Sequence, residues 1–204
     1  TITGKRGIGK TKLAETVAQA LVQAKLVDCV VSIGITFEMH FDHVLNAIAR
    51  NINQPHLAEL NYKNKFLSIV QRLETANSLI HIDQQEVGNV FSEDFKQQVQ
   101  ELSQSTKVII CCHEAWEALP NVELPPLSSD DLIHVFSSKA KVMPEWDFKV
   151  ATDNLRSITQ GSPLALTLLA SAIKTHHLTL GEALAQLESI RLHSHTHHHS
   201  ELDH

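Results

Sequence analysis

The segment Gly4-Lys5-Arg6-Gly7-Ile8-Gly9-Lys10-Thr11 constrains this chain more than any other. It matches G-x-x-x-x-G-K-[ST] at every defined position, with Gly7 as an additional glycine. Glycine reaches positive φ without a Cβ clash, so the backbone can turn its N–H groups inward around an anion. The helix that follows adds unpaired N–H groups and a favourable dipole at its N-terminus. A lysine at the loop's end reaches the β- and γ-phosphates, and the next hydroxyl faces Mg²⁺. The expected phosphate contacts are therefore Gly4, Gly7, Ile8, Gly9, Lys10, Thr11 and Lys12. A glycine-rich turn before a helix is the plain alternative, and the context of the segment argues against it. A loop of this kind follows a strand of about five residues. Only Thr1, Ile2 and Thr3 come before Gly4, so the sequence reads as a piece of a longer protein with its first strand truncated.

Downstream, hydrophobic periodicity alternates between the helical and extended patterns. Leu13, Val17, Leu21 and Ala24 predict one face of a helix over about 10–24. Cys29-Val30-Val31-Ser32-Ile33 is a short β-branched run that reads as a buried strand. Two helices should follow, one turning Val44, Leu45, Ile48 and Ile52 inward, the next Phe66, Ile69, Val70 and Leu73. Leu79–Asp83 and Lys107–Cys112 predict further strands, separated by a helix marked by Phe95, Val99 and Leu102. Strands alternating with helices of this length imply a three-layer α/β fold: a parallel sheet with helices on both faces.

After Pro125-Pro126 only helical patterns remain. Leu132, Val135, Phe136 and Ala140 form one stripe; Phe148, Ala151, Leu155 and Ile158 form a second. Ser162 is placed as N-cap before Pro163, and Thr179 stands three residues before Glu182 at capping-box spacing. The expected organisation is a nucleotide-binding α/β domain over 1–127, a small all-α domain over 128–192, and a polar His-rich tail over 193–204. The tail's histidines suit Zn²⁺ or Ni²⁺, but a flexible or purification segment has the same composition.

Seventeen basic against 23 acidic residues, a net charge of −6 and no basic stripe argue against direct nucleic-acid binding. No apolar run approaches the roughly 18 residues of a membrane span. Three cysteines are too few for a disulfide framework and fit reduced thiols in the cytoplasm. Cys111 and Cys112 could look like a metal or redox pair, but adjacent residues of a strand point to opposite faces, and the two read as buried inert thiols.

Asp83 closes an apolar strand, where a P-loop ATPase needs a carboxylate to hold Mg²⁺. Taken alone, a strand-end aspartate also serves to cap a turn. Gln84 stands where many such enzymes have a second acid to polarise water, and the next candidate is Glu86. That departure predicts slow hydrolysis. His113 ends the strand over 107–112 at a position suited to sensing the γ-phosphate, although a strand-end histidine is more often a solvated loop residue.

The ordered set Gly4–Thr11, Ile80–Glu86, Val108–Glu114, Leu124–Leu127 and Gly161-Ser162-Pro163-Leu164-Ala165-Leu166 resembles the apoptotic-type ATPases (AP-ATPase or NB-ARC). These are a branch of the signal transduction ATPases with numerous domains, and the likeness is to bacterial regulatory members. It covers nearly the whole chain up to about Leu192, and the late Gly-x-Pro-Leu-Ala-Leu element is its most specific part. The resemblance implies ATP or ADP with Mg²⁺ between an α/β and a helical domain, with Pro163 against the adenine or ribose. It also implies a conformational switch that self-associates in the ATP form. Winged-helix, effector and sensor domains that accompany such modules would lie outside these residues. Two further readings stand beside it. One is a P-loop ATPase or small-molecule kinase of ordinary turnover, against which no arginine-bearing lid is found. The other is a scaffold that no longer uses nucleotide. The family's Thr-Thr-Arg or Thr-Ser-Arg sensor is replaced here by Cys111-Cys112-His113, and histidine is shorter than arginine and mostly neutral at pH 7.

Overall fold

The computed structural model describes residues 1–35, 40–85, 91–140, 148–179, 181–183 and 185, with backbone only for 148–151. Glu86, most of 184–192 and the His-rich tail lie outside the described residues. The chain divides into two compact units, and the break falls between Leu124 and Pro125. Gly7–Gly9 group with the second unit.

The first unit is built on five parallel strands in the order β2-β3-β4-β1-β5. They are β1 (Ile2–Thr3), β2 (Cys29–Ile35), β3 (Ser78–Gln84), β4 (Lys107–Cys111) and β5 (Val122–Glu123). The helices are α1 (Lys10–Gln23), α2 (Phe41–Asn51), α3 (Tyr62–Thr75) and α4 (Glu93–Ser105), with a 3-10 turn at Pro55–Glu59. Helices cover both faces of the sheet. The period of two along the strands decides which residues meet which helices. Ile80, Ile82, Ile110 and Cys112 pack with Val44, Leu45, Ile48, Ile69, Leu73, Val99 and Leu102 of α2, α3 and α4. The alternate residues Leu79, Ile109 and Cys111 pack with Ala14, Ala18, Leu13 and Leu21 of α1 on the other face.

The inward face of α1 differs from its sequence reading. Ala14 and Ala18 are buried, whereas Val17 and Ala24 are exposed. Small side chains let this helix lie close against the sheet, so the contact row is set by alanine rather than by the larger residues. The strand β5 and the 3-10 turn had no sequence signature. Val122 and Glu123 are both exposed and join the sheet through backbone pairing to Ile2 and Thr3.

Two helix starts in this unit follow from local chemistry. Asn61 accepts the Asn64 N–H at 3.0 Å and Ser92 accepts the Phe95 N–H at 3.2 Å, each occupying a donor that the first turn leaves free. Between α2 and α3, Lys65 is 4% exposed. Its ammonium donates to Asp42 Oδ1 at 2.8 Å and Asn46 Oδ1 at 2.7 Å, which satisfies a charge that burial alone would make costly.

The second unit contains α5 (Ser129–Ala140), α6 (Phe148–Thr159) and α7 (Pro163–His176). Leu132, Phe136, Leu155, Leu166, Leu169, Ala170 and Ile173 form its core. Pro163 opens α7 behind the N-cap Ser162, whose Oγ accepts the Ala165 N–H at 3.3 Å. The turn before it runs through Gln160 and Gly161 at φ +51° and +73°. Gly161 O accepts the Leu127 N–H at 3.0 Å, tying that turn to the entry of the unit. Thr179 and Glu182 form the capping box that their spacing predicts: Glu182 accepts the Thr179 N–H at 2.8 Å, and Thr179 Oγ1 accepts the Glu182 N–H at 3.3 Å.

Candidate functional site

The loop after β1 needs its glycines for conformational reasons. Gly4, Gly7 and Gly9 have φ of +138°, +75° and +105°, a region that disfavours any residue with a Cβ. α1 then begins at Lys10, so the loop ends in the N-terminus of a helix of 14 residues. Lys10 is 8% exposed, and its ammonium folds back on the loop, donating to Gly4 O at 2.8 Å and Lys5 O at 3.2 Å. Burial lowers the Lys10 pKa from its ordinary value, with Asp83 among the anionic groups opposing the shift.

Thr11 Oγ1 donates to the Asp83 carboxylate, at 3.1 Å from Oδ1 and 3.0 Å from Oδ2. These residues are 72 apart in sequence. The topology brings them together: β4 separates β1 from β3, and the C-terminal ends of parallel strands lie on one edge of the sheet. The pair offers a hydroxyl and a carboxylate, hard oxygen donors of the kind Mg²⁺ takes alongside phosphate oxygens and water. The donor set therefore fits that ion.

The remaining residues singled out in the sequence fall differently. Ile8 is buried. Gly7 O accepts from the Leu164 N–H and the Ser162 hydroxyl, both at 3.2 Å, within the second unit, where Pro163 is half-buried at the first helical position. The Lys12 side chain turns outward and pairs with Glu15 at 3.4 Å. His113 donates its backbone N–H to Gln84 Oε1 at 3.1 Å, linking the ends of β3 and β4. Burial lowers the His113 imidazole pKa, and the Lys10 and Arg6 cations lower it further. Both effects favour the neutral form of the ring. Gln84 is buried and already engaged by that backbone contact.

One functional candidate was absent from the sequence reading. His81 stands two residues before Asp83 on the same face of β3, and Cys111 lies opposite Asp83 on β4. Their ligand atoms all lie within 4.8 Å of one another. The period-two alternation places His81 beside Asp83, but the register that adds Cys111 belongs to the sheet. The two thiols are indeed separated, Cys111 facing α1 and Cys112 facing α2–α4, and burial raises them to about 12 and about 11. Among the described residues no helix is long and apolar enough to cross a membrane.

No family model matches the chain, and no curated protein matches it. Among solved structures it is similar to a signal transduction ATPase with numerous domains (STAND) that carries a tetratricopeptide-repeat sensor, from Pyrococcus horikoshii. That superposition has a TM-score of 0.58 at 19% identity and covers 93% of this chain. The chain spans 29% of the length of the STAND protein. PCH-2 of C. elegans superposes more loosely, at a TM-score of 0.40 and 17% identity, over 94% of this chain and 59% of PCH-2. Sheet, helices and the STAND superposition together make this an α/β fold of the P-loop NTPase type.

Proposed function

We propose that this chain is the adenine-nucleotide module of a signal-transduction ATPase, a switch that binds ATP or ADP with Mg²⁺ and hydrolyses slowly. The observation that carries the reading is the contact of Thr11 with Asp83 beside a loop of three positive-φ glycines. Two independent motifs thus converge on one spot. In this reading Lys10 exchanges its two carbonyl contacts for phosphate oxygens, and Thr11 and Asp83 hold Mg²⁺. That ion would neutralise charge on the phosphate oxygens. Pro163 and the first turn of α1 as far as Lys12 complete the proposed nucleotide contacts, and Glu86 is the remaining candidate for an acid that polarises water.

Slow turnover follows from Gln84. An amide takes no proton from water, and this one is occupied by the His113 N–H. The neutral His113 would respond weakly to a γ-phosphate compared with the cationic arginine of the resembled family. Self-association in the ATP form, and coupling to winged-helix, effector and sensor domains, belong to the longer protein this reading implies.

The test is nucleotide binding by the full chain. A fluorescent adenine nucleotide should bind in Mg²⁺ and be displaced by ATP and ADP but not by GTP. Lys10→Ala should weaken binding at least about tenfold, corresponding to the loss of one charge-assisted contact. Unchanged affinity in Lys10→Ala would favour a scaffold that does not use nucleotide. Rapid steady-state turnover with no nucleotide-dependent change in shape would favour an ordinary ATPase.

A further inference from the structure

We propose that His81, Asp83 and Cys111 form a binding site for a thiophilic divalent cation of the Zn²⁺ type, which draws Asp83 away from Thr11. The three side chains share one face of adjacent strands, and their ligand atoms all lie within 4.8 Å of one another. The donor set is one imidazole, one carboxylate and one thiol. It suits zinc, because soft sulfur and borderline nitrogen donors disfavour magnesium and calcium.

The spacing is quantitative. A tetrahedral zinc with Zn–S about 2.3 Å and Zn–N about 2.0–2.1 Å holds its sulfur and nitrogen ligands roughly 3.6 Å apart. His81 Nε2 and Cys111 Sγ are 3.5 Å apart. The ion would replace the proton shared between these two atoms, and that proton leaves to solvent as the thiolate binds. On the other side of the ring, His81 Nδ1 meets Ser32 Oγ at 3.4 Å, the outer support that orients a ligating imidazole. His81 is 4% exposed, so its ring is fixed in place, while the half-exposed Asp83 supplies a path of entry. Three protein ligands leave a fourth position for water.

Asp83 belongs to both donor sets, Thr11–Asp83 with hard oxygens and His81–Asp83–Cys111 with soft ones. Occupancy by zinc therefore opposes the magnesium arrangement. This antagonism rests on the nucleotide reading above; the metal site itself does not.

Co²⁺ titration of the full chain tests the site through its thiolate-to-cobalt charge-transfer absorption. The histidines of 193–204 cannot produce that band because the segment has no cysteine. The amplitude of the band at saturation should correspond to one thiolate-bound Co²⁺ per chain, whatever the tail histidines take up; the band should be abolished in Cys111→Ser and persist in Cys112→Ser and Cys29→Ser. No band in the unaltered chain, or a band that survives Cys111→Ser, would overturn the proposal. His81→Asn keeps every thiol and should weaken the Co²⁺ that gives the band by roughly tenfold or more. An unchanged affinity there would overturn the proposal even if Cys111→Ser fails to fold. One equivalent of Zn²⁺ bound at the site should raise the apparent Kd for Mg²⁺-ADP, and an unchanged Kd would overturn the antagonism. A chain that gives the cobalt band but binds no nucleotide without Zn²⁺ would refute the functional reading and leave the metal site standing.

Discussion

Replacing Gly161 with alanine should destabilise the helical unit by roughly 2–5 kcal/mol, and the structure divides that figure into two parts. Gly161 sits at φ +73°, where an alanine costs about 1–2 kcal/mol relative to its ordinary conformations. The added Cβ would stand 2.7 Å from Pro126 Cβ, 3.1 Å from Leu127 N and 3.3 Å from Pro126 Cα. Carbon pairs prefer roughly 3.5–4.0 Å. The obstacles are a proline ring and backbone, so relief requires the chain entering α5 to move. Overpacking of this kind costs about 1–3 kcal/mol. The same shift would strain the bond from the Leu127 N–H to Gly161 O. Urea denaturation followed by circular dichroism measures the sum. Gly161→Asn separates the parts, because asparagine tolerates the left-handed region but still carries the Cβ. Gly181→Ala is the control: its added Cβ meets nothing within 4 Å, and the helical position gains up to about 1 kcal/mol in propensity. A Gly161→Ala chain as stable as the parent would refute both parts, since each alone should cost about 1 kcal/mol or more.

Other consequences follow from single contacts. Lys65→Met keeps the aliphatic stem but leaves Asp42 Oδ1 and Asn46 Oδ1 without their donor, and should cost about 1–3 kcal/mol in the same assay. Gln84→Glu places a carboxylate where the slow-hydrolysis reading lacks one, keeps an acceptor for the His113 N–H, and should raise ATP turnover by roughly 10²-fold if a general base is what is missing. Turnover equal to the parent's would remove Gln84 as the cause. Burial lowers the His81 pKa from its ordinary 6.5, so below that value the unfolded chain binds the proton the native chain refuses. Stability should therefore be full above about pH 6.5 and fall on acidification, with a slope approaching about 1.4 kcal/mol per pH unit until the native ring itself titrates. Urea midpoints in EDTA across that range should flatten in His81→Gln; an unchanged slope would assign the effect elsewhere.

Much of this protein follows from local pattern alone. The glycine spacing of 4–11, the β-branched runs of β2, β3 and β4, and the caps at Ser162 and Thr179 each encode their structure within a few residues. Backbone sterics and the first helical turn act over that range. Asp83 was legible for the same reason, as an acid closing an apolar strand. What escaped depended on neighbours distant in sequence. Val122 and Glu123 pair with β1 through backbone groups that carry no side-chain signature. The α1 contact row was chosen by how closely Ala14 and Ala18 approach the sheet. The loop Gly4–Thr11 was readable as a glycine turn opening a helix, but its setting was not. Only strand order and register bring Thr11 to Asp83 and set His81 and Cys111 beside it, because in a parallel sheet long crossovers separate in sequence the residues that hydrogen bonding makes neighbours.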